Sequence, residues 1–116
     1  MSDSETSVFT LRQAVQRFVN ERDWSQFHNP KNLAMSIAIE AAELMEHFQW
    51  QDGEAARLVR ASPADMSAIG EELADILCYA LSFANALDID ISQALFDKLK
   101  KNAAKYPIER FRGKFR

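Results

Sequence analysis

The chain has 116 residues, 47% of them hydrophobic and 27% charged, with a formal net charge of −3. That is the size and balance of one soluble globular domain, and the acidic excess argues against a general nucleic-acid binder. Three Gly, three Pro and the single Cys78 disfavour a many-turned sheet, exclude an internal disulfide and suit a reducing, cytoplasmic compartment. The polar, acidic start does not read as a signal peptide, and no apolar run approaches the roughly 18 residues of a membrane span.

In chain order, residues 1–6 read as a frayed tail, and Thr10 with Gln13 resembles a capping box. Leu11, Ala14, Val15, Phe18 and Val19 then follow helical spacing, which predicts a first helix from about Ser7 to Arg22. Residues 23–29 form a loop rich in aromatic groups. Asn29-Pro30 supplies an N-cap followed by proline at the first helical position. Leu33, Ile37, Ala41, Leu44 and Phe48 carry that second helix to about Trp50, where Gln51-Asp52-Gly53 ends it. Residues 54–60 have room for one short helix.

Ser62-Pro63 repeats the cap-then-proline signal and opens a third helix over 63–87. Its apolar residues, from Ile69 to Leu87, surround much of its circumference, which makes it the central element. Asp88-Ile89-Asp90 breaks it, Ser92 caps a fourth helix to about Lys105, and Pro107 stops that one. The pattern predicts an all-α, four-helix bundle. It forms one domain, 1–116, with an ordered core of about 7–106 and a basic tail over 107–116. A core of this size is marginal, and several helices are apolar on more than one face. Burial is therefore expected to continue across a subunit interface, in a homodimer or homotetramer.

Two acidic pairs interrupt these apolar helices with the same spacing: Glu40-Ala-Ala-Glu43 and Glu72-Leu-Ala-Asp75. Positions i and i+3 share a helix face, so each pair projects two carboxylates from one side. Carboxylates turned toward a core are costly unless compensated, and no run of Lys or Arg stands beside them. If the two helices lie side by side, four carboxylates converge, and some of their pKa values must rise. Mg²⁺ answers this donor set, since it takes oxygen ligands and also binds phosphate oxygens, with Mn²⁺ a substitute. A solvated acidic face is the competing reading of either pair alone. A ferritin-like di-iron site needs two Glu-x-x-His motifs, and His47 follows Glu43 by four residues. A zinc site needs clustered Cys or His, and the chain offers only Cys78, His28 and His47.

The words around these pairs are more specific. Glu21-Arg22-Asp23-Trp24-Ser25-Gln26-Phe27-His28-Asn29-Pro30-Lys31-Asn32-Leu33, Glu43-Leu44-Met45-Glu46-His47-Phe48-Gln49-Trp50 and Glu71-Glu72-Leu73-Ala74-Asp75-Ile76-Leu77-Cys78-Tyr79 resemble segments of the MazG-like all-α nucleoside triphosphate pyrophosphohydrolases, in their dCTP pyrophosphatase branch. Lys98, Asn102 and the run Lys105-Tyr106-Pro107 extend the resemblance to nearly the whole domain.

The resemblance implies Mg²⁺-dependent hydrolysis between the α- and β-phosphates of dCTP or a modified dCTP, giving the monophosphate and pyrophosphate. It implies Glu40, Glu43, Glu72 and Asp75 as metal-binding catalytic residues. Trp24, His28, Trp50 and Tyr79 would shape the nucleoside pocket, with Gln26 and Phe27 of the same segment beside them. Lys31, Asn32, Lys98 and Asn102 would meet phosphates. The branch carries a nucleotide-contacting His on its first helix where this chain has Val15, which bears on base or sugar selectivity.

Alternatives stay open at this level. One is a broad-specificity or dUTP-directed pyrophosphatase of the same superfamily; the other is a non-enzymatic helical dimerisation module. The basic tail, with Lys105, Arg110, Arg112, Lys114 and Arg116 interleaved by Phe111 and Phe115, reads as a flexible tail, as a strap on a neighbouring subunit or as a lid over triphosphate.

Overall fold

Capping explains where the helices begin in the computed structural model, which describes residues 1–115. The last tail residue named above, Arg116, lies outside them. Helix α1 spans Val8–Glu21, α2 Pro30–Glu46, α3 Gly53–Leu58, α4 Pro63–Leu87, α5 Ile91–Lys105 and α6 Ile108–Phe111. Asn29 caps α2 by accepting from the Asn32 amide at 2.9 Å, and Ser62 caps α4 by accepting from Asp65 at 3.3 Å. Both helices carry proline in their first turn, where its missing N–H leaves nothing unsatisfied. Among the described residues no strand occurs, so the all-α reading holds.

Several boundaries differ from the sequence expectation. Ser7, rather than Thr10, caps α1 by accepting from the Thr10 amide. Asp90, rather than Ser92, caps α5, its carboxylate 2.9 Å from the Gln93 amide. Helix α2 stops at Glu46 and the chain runs on in turns through Trp50. Pro107 ends α5 but seeds the short α6. Asp88 closes α4 in the left-handed conformation (φ 54°), which a short polar side chain tolerates.

The 25-residue α4 is the axis of the fold, and α2 and α1 both pack against it. His47 meets Glu72 at one end of the α2–α4 seam while His28 meets Tyr79 toward the other, so the two helices run antiparallel. The buried core is small: Val19 of α1, Leu33 of α2, and Leu81, Ser82 and Ala84 of α4. Two polar ties fasten α1. Arg12 Nε donates to Asn85 Oδ1 at 2.9 Å, and Asn85 Nδ2 donates back to the Arg12 carbonyl at 3.2 Å. Helix α5 has no extensive packing partner among the described residues, and its Leu95, Phe96 and Leu99 are exposed. No helix among them is long and apolar enough to cross a membrane.

Candidate active site

The helical periodicity of α2 and the packing of α4 against it, after a 16-residue connection (47–62), bring Glu40, Glu43 and Glu72 to one place. One carboxylate oxygen from each lies within 4.8 Å of the others. The Oε2 atoms of Glu40 and Glu72 are buried and have no hydrogen-bond partner. Such atoms are costly to leave unanswered. The cluster fits a hard divalent cation: oxygen donors, convergent, and short of positive charge. Glu40 is pushed up to about 6, first by burial, then by the adjoining Glu43 carboxylate, then by Asp75 and Glu72. Glu72 is raised by burial and by Glu43 and Asp75, and is held down in part by His47.

Asp75 stands one turn along α4 from Glu72, outside this tight group of three. It is near enough to raise both Glu40 and Glu72, and it lines the adjoining cavity. That cavity has a volume of about 380 Å³ and is mostly apolar. Val15, Phe18 and Val19 of α1 form one wall; Cys78, Tyr79 and Ser82 of α4 form another; Trp24 and His28 come from the intervening loop. Trp24 is fixed edge-on against Phe18, ring centroids 5.7 Å apart, and His28 lies 6.5 Å from the Tyr79 ring. Burial, with help from Asp75, raises the Cys78 thiol.

Of the residues singled out in the sequence, Glu40, Glu43 and Glu72 therefore meet, and Asp75, Trp24, His28 and Tyr79 share the cavity beside them. The others stand apart from it within one chain. Trp50 is 91% exposed and Phe27 59%. Gln26 turns back to the Asp23 carbonyl and carboxylate. The Asn32 side chain holds the Phe27 carbonyl at 3.1 Å, which shapes the loop. Lys31 is exposed, and Lys98 and Asn102 are carried on the unpacked α5.

Two features escaped the sequence reading. One is the extent of the wall supplied by α1, of which the resemblance pointed to Val15 alone while Phe18 and Val19 read as core. The other is His47, weighed above only as a ligand of iron or zinc, whose Nε2 lies 3.9 Å from Glu72 Oε1. Its signal was available: four residues after Glu43, it lies on the same helical face.

An antiparallel helical layer with a carboxylate cluster, linked through Asp75 to an aromatic-walled cavity, defines the class, and the comparisons agree. A family model described as MazG-like matches residues 35–114. This chain belongs to the MazG-like family.

Among individual proteins, it is 38% identical over 110 residues to dCTP pyrophosphatase 1 of Bos taurus, covering 95% of this chain and 65% of that protein. It is 36% identical over 113 residues to dCTP pyrophosphatase 1 of Homo sapiens, covering 97% of this chain and 66% of that one. The chain thus spans just under two thirds of the length of these curated relatives. A crystal structure of a pyrophosphatase from Archaeoglobus fulgidus superposes with a TM-score of 0.76 at 37% identity, covering 84% of this chain and 89% of that one.

Proposed function

We propose that this chain is a divalent-cation-dependent nucleoside triphosphate pyrophosphohydrolase acting on dCTP or modified dCTP analogues. One observation carries the reading: the unpartnered buried oxygens of Glu40 and Glu72 stand beside Glu43, and Asp75, one turn along α4, lines an apolar cavity walled by Trp24, His28 and Tyr79. The names of the relatives support it.

Glu40, Glu43, Glu72 and Asp75 would hold Mg²⁺, or Mn²⁺ in its place. When bound, the cation neutralises phosphate charge and acidifies water. Everything else falls to the chain's own groups. Trp24 offers a ring face to the base. His28 and Tyr79 offer polar atoms at the cavity wall. Glu43 flanks both Glu40 and Glu72, which makes it the group to orient a water, and take its proton, for in-line attack on the α-phosphorus. Pyrophosphate then leaves. Lys31 lies near the N-terminus of α2, where helix dipole and ammonium attract the same anion.

The unit that works is an assembly of at least two copies. The exposed apolar face of α5 carries Lys98 and Asn102, and a second copy packed there would bring both toward a site they do not reach alone. Residues 1–116 act as one domain, in a reducing cytoplasm that keeps Cys78 a thiol.

The test is pyrophosphate release from a panel of dNTPs with Mg²⁺. Release that is abolished by chelation and in Glu40→Ala supports the enzyme, and the ranking of dCTP against dUTP fixes the preference. No release from any nucleotide rejects it in favour of a non-catalytic helical module.

A further inference from the structure

Ser82 is the buried polar residue of the core, only 7% exposed, while its neighbours Leu81 and Ala84 are apolar. A helical serine commonly returns its hydroxyl to the carbonyl one turn back. Here the hydroxyl has no hydrogen-bond partner among the described residues. It borders the cavity instead. Its oxygen is not among the fully buried unpartnered side-chain oxygens, which are those of Glu40 and Glu72, so the hydroxyl is open to the cavity and available to what enters it.

The position along α4 gives the group a purpose. Asp75, Tyr79 and Ser82 follow the i, i+4, i+7 spacing of one helical face, which puts Ser82 about 10 Å beyond Asp75. A nucleotide whose α-phosphate lies at the carboxylates and whose base enters the cavity reaches away from them along this line. In a pyrimidine, the ring carbon opposite the glycosidic nitrogen is C4, so its exocyclic group points farthest from the phosphates. His28 and Ser82 also border a second cavity of about 270 Å³ with Gln16, Ser25, Val19 and Ala86, so polar groups gather around Ser82 while Val15 and Phe18 keep the first cavity's wall apolar.

We propose that Ser82 is a specificity-determining residue whose hydroxyl hydrogen-bonds the exocyclic group at C4 of a pyrimidine nucleotide. The proposal rests on the pyrophosphohydrolase reading above. A hydroxyl donates or accepts, so Ser82 serves the amine of cytosine or the carbonyl of uracil. It rejects a base that presents neither.

The experiment compares wild type, Ser82→Ala and Ser82→Thr on dCTP and on the deoxyribonucleoside triphosphate of 2-pyrimidinone, which lacks the C4 group. Melting temperatures confirm folding. Ser82→Ala is expected to lower kcat/KM for dCTP roughly fivefold to tenfold, mainly through KM, while the pyrimidinone nucleotide is turned over as by wild type. Ser82→Thr, which keeps the hydroxyl, retains the discrimination. Equal losses on both nucleotides, or no loss on dCTP, overturn the assignment and leave the enzyme reading intact. A wild type that releases pyrophosphate from no nucleotide overturns both.

Discussion

His47, at the C-terminal end of α2, holds its Nε2 3.9 Å from Oε1 of Glu72 on α4, with both side chains partly exposed. It is the basic group paired with an otherwise acidic cluster, and it lowers the proton affinity of Glu72 against the burial and repulsion that raise it. Replacing His47 by Ala removes that opposition. The carboxylates should then surrender their protons at higher pH, but a neighbouring positive charge opposes a divalent ion more strongly than it opposes a proton, so the cation should bind more tightly in mild acid once it is removed. A partly exposed pair has a small effect, so the expected strengthening of Mn²⁺ binding is roughly two- to fivefold at pH 6, fading by pH 8. Mn²⁺ titration followed by electron paramagnetic resonance at several pH values measures it. Equal affinities at pH 6 would remove His47 from the site.

Glu40 gives a second pH signature, with a definite sign. Its carboxyl titrates near 6 in the fold against 4.5 in the unfolded chain. Between those values the folded state holds more protons than the unfolded state, so stability falls as pH rises through the window. The metal-free protein should therefore melt at a higher temperature at pH 4.5 than at pH 6.5, once the background trend is subtracted using Glu40→Gln. Glu72 is shifted in the same direction and adds to the effect. Saturating Mg²⁺ should reverse the trend, because the cation binds the deprotonated cluster. Differential scanning calorimetry with and without Mg²⁺ decides both signs.

The cavity wall depends on α1 staying docked, and the reciprocal bonds between Arg12 and Asn85 fasten it to α4. Arg12 also donates to the Ile89 carbonyl at 2.6 Å, just past the end of α4. Asn85→Ala cuts the tie to Arg12 and leaves a guanidinium seeking a partner. A stability loss of about 1–3 kcal/mol follows. Because Val15, Phe18 and Val19 form the wall, KM should rise by more than kcat falls. Urea denaturation gives the first quantity and steady-state kinetics the second.

Helix identity was legible because caps and periodicity agree: Asn29-Pro30 and Ser62-Pro63 mark true starts, and 63–87 matches α4 to the residue. The acidic pairs were legible for the same reason, since i, i+3 spacing fixes a helix face without any tertiary knowledge. Pairing of faces was not. Which of α1's apolar residues would line a cavity rather than fill a core depends on the rotation of α1 against α4, and no local pattern encodes it. Cap choice between Ser7 and Thr10 was ambiguous locally, because both hydroxyls precede the same apolar run and hydrogen-bond each other at 3.0 Å. Ser82 was invisible, since a lone serine among Leu81, Phe83 and Ala84 carries no spacing signal. Trp50 was drawn in by resemblance, while the end of α2 at Glu46 leaves it pointing to solvent.

That exposure is part of a wider pattern that assembly would explain. Leu95 and Leu99 are an i, i+4 pair on α5, exposed by 56% and 51%, with Phe96 beside them at 68%. Three large apolar groups on one amphipathic helix make an exposed patch of the kind that marks an interface. Capping by Asp90 and the Gln93–Asp97 side-chain bond at 2.9 Å stabilise α5 locally, so a polar substitution at its apolar face need not unfold it. If a second copy packs on this face as proposed, Leu99→Glu is expected to give monomers while leaving helix content within a few per cent of wild type. Under the assembly proposed above, activity should fall at least tenfold, because Lys98 and Asn102 would no longer reach a neighbouring copy's site. Analytical ultracentrifugation, circular dichroism and pyrophosphate release on the same sample test the three together. A Leu99→Glu protein that stays oligomeric, or that is monomeric and fully active, would show that α5 serves neither end.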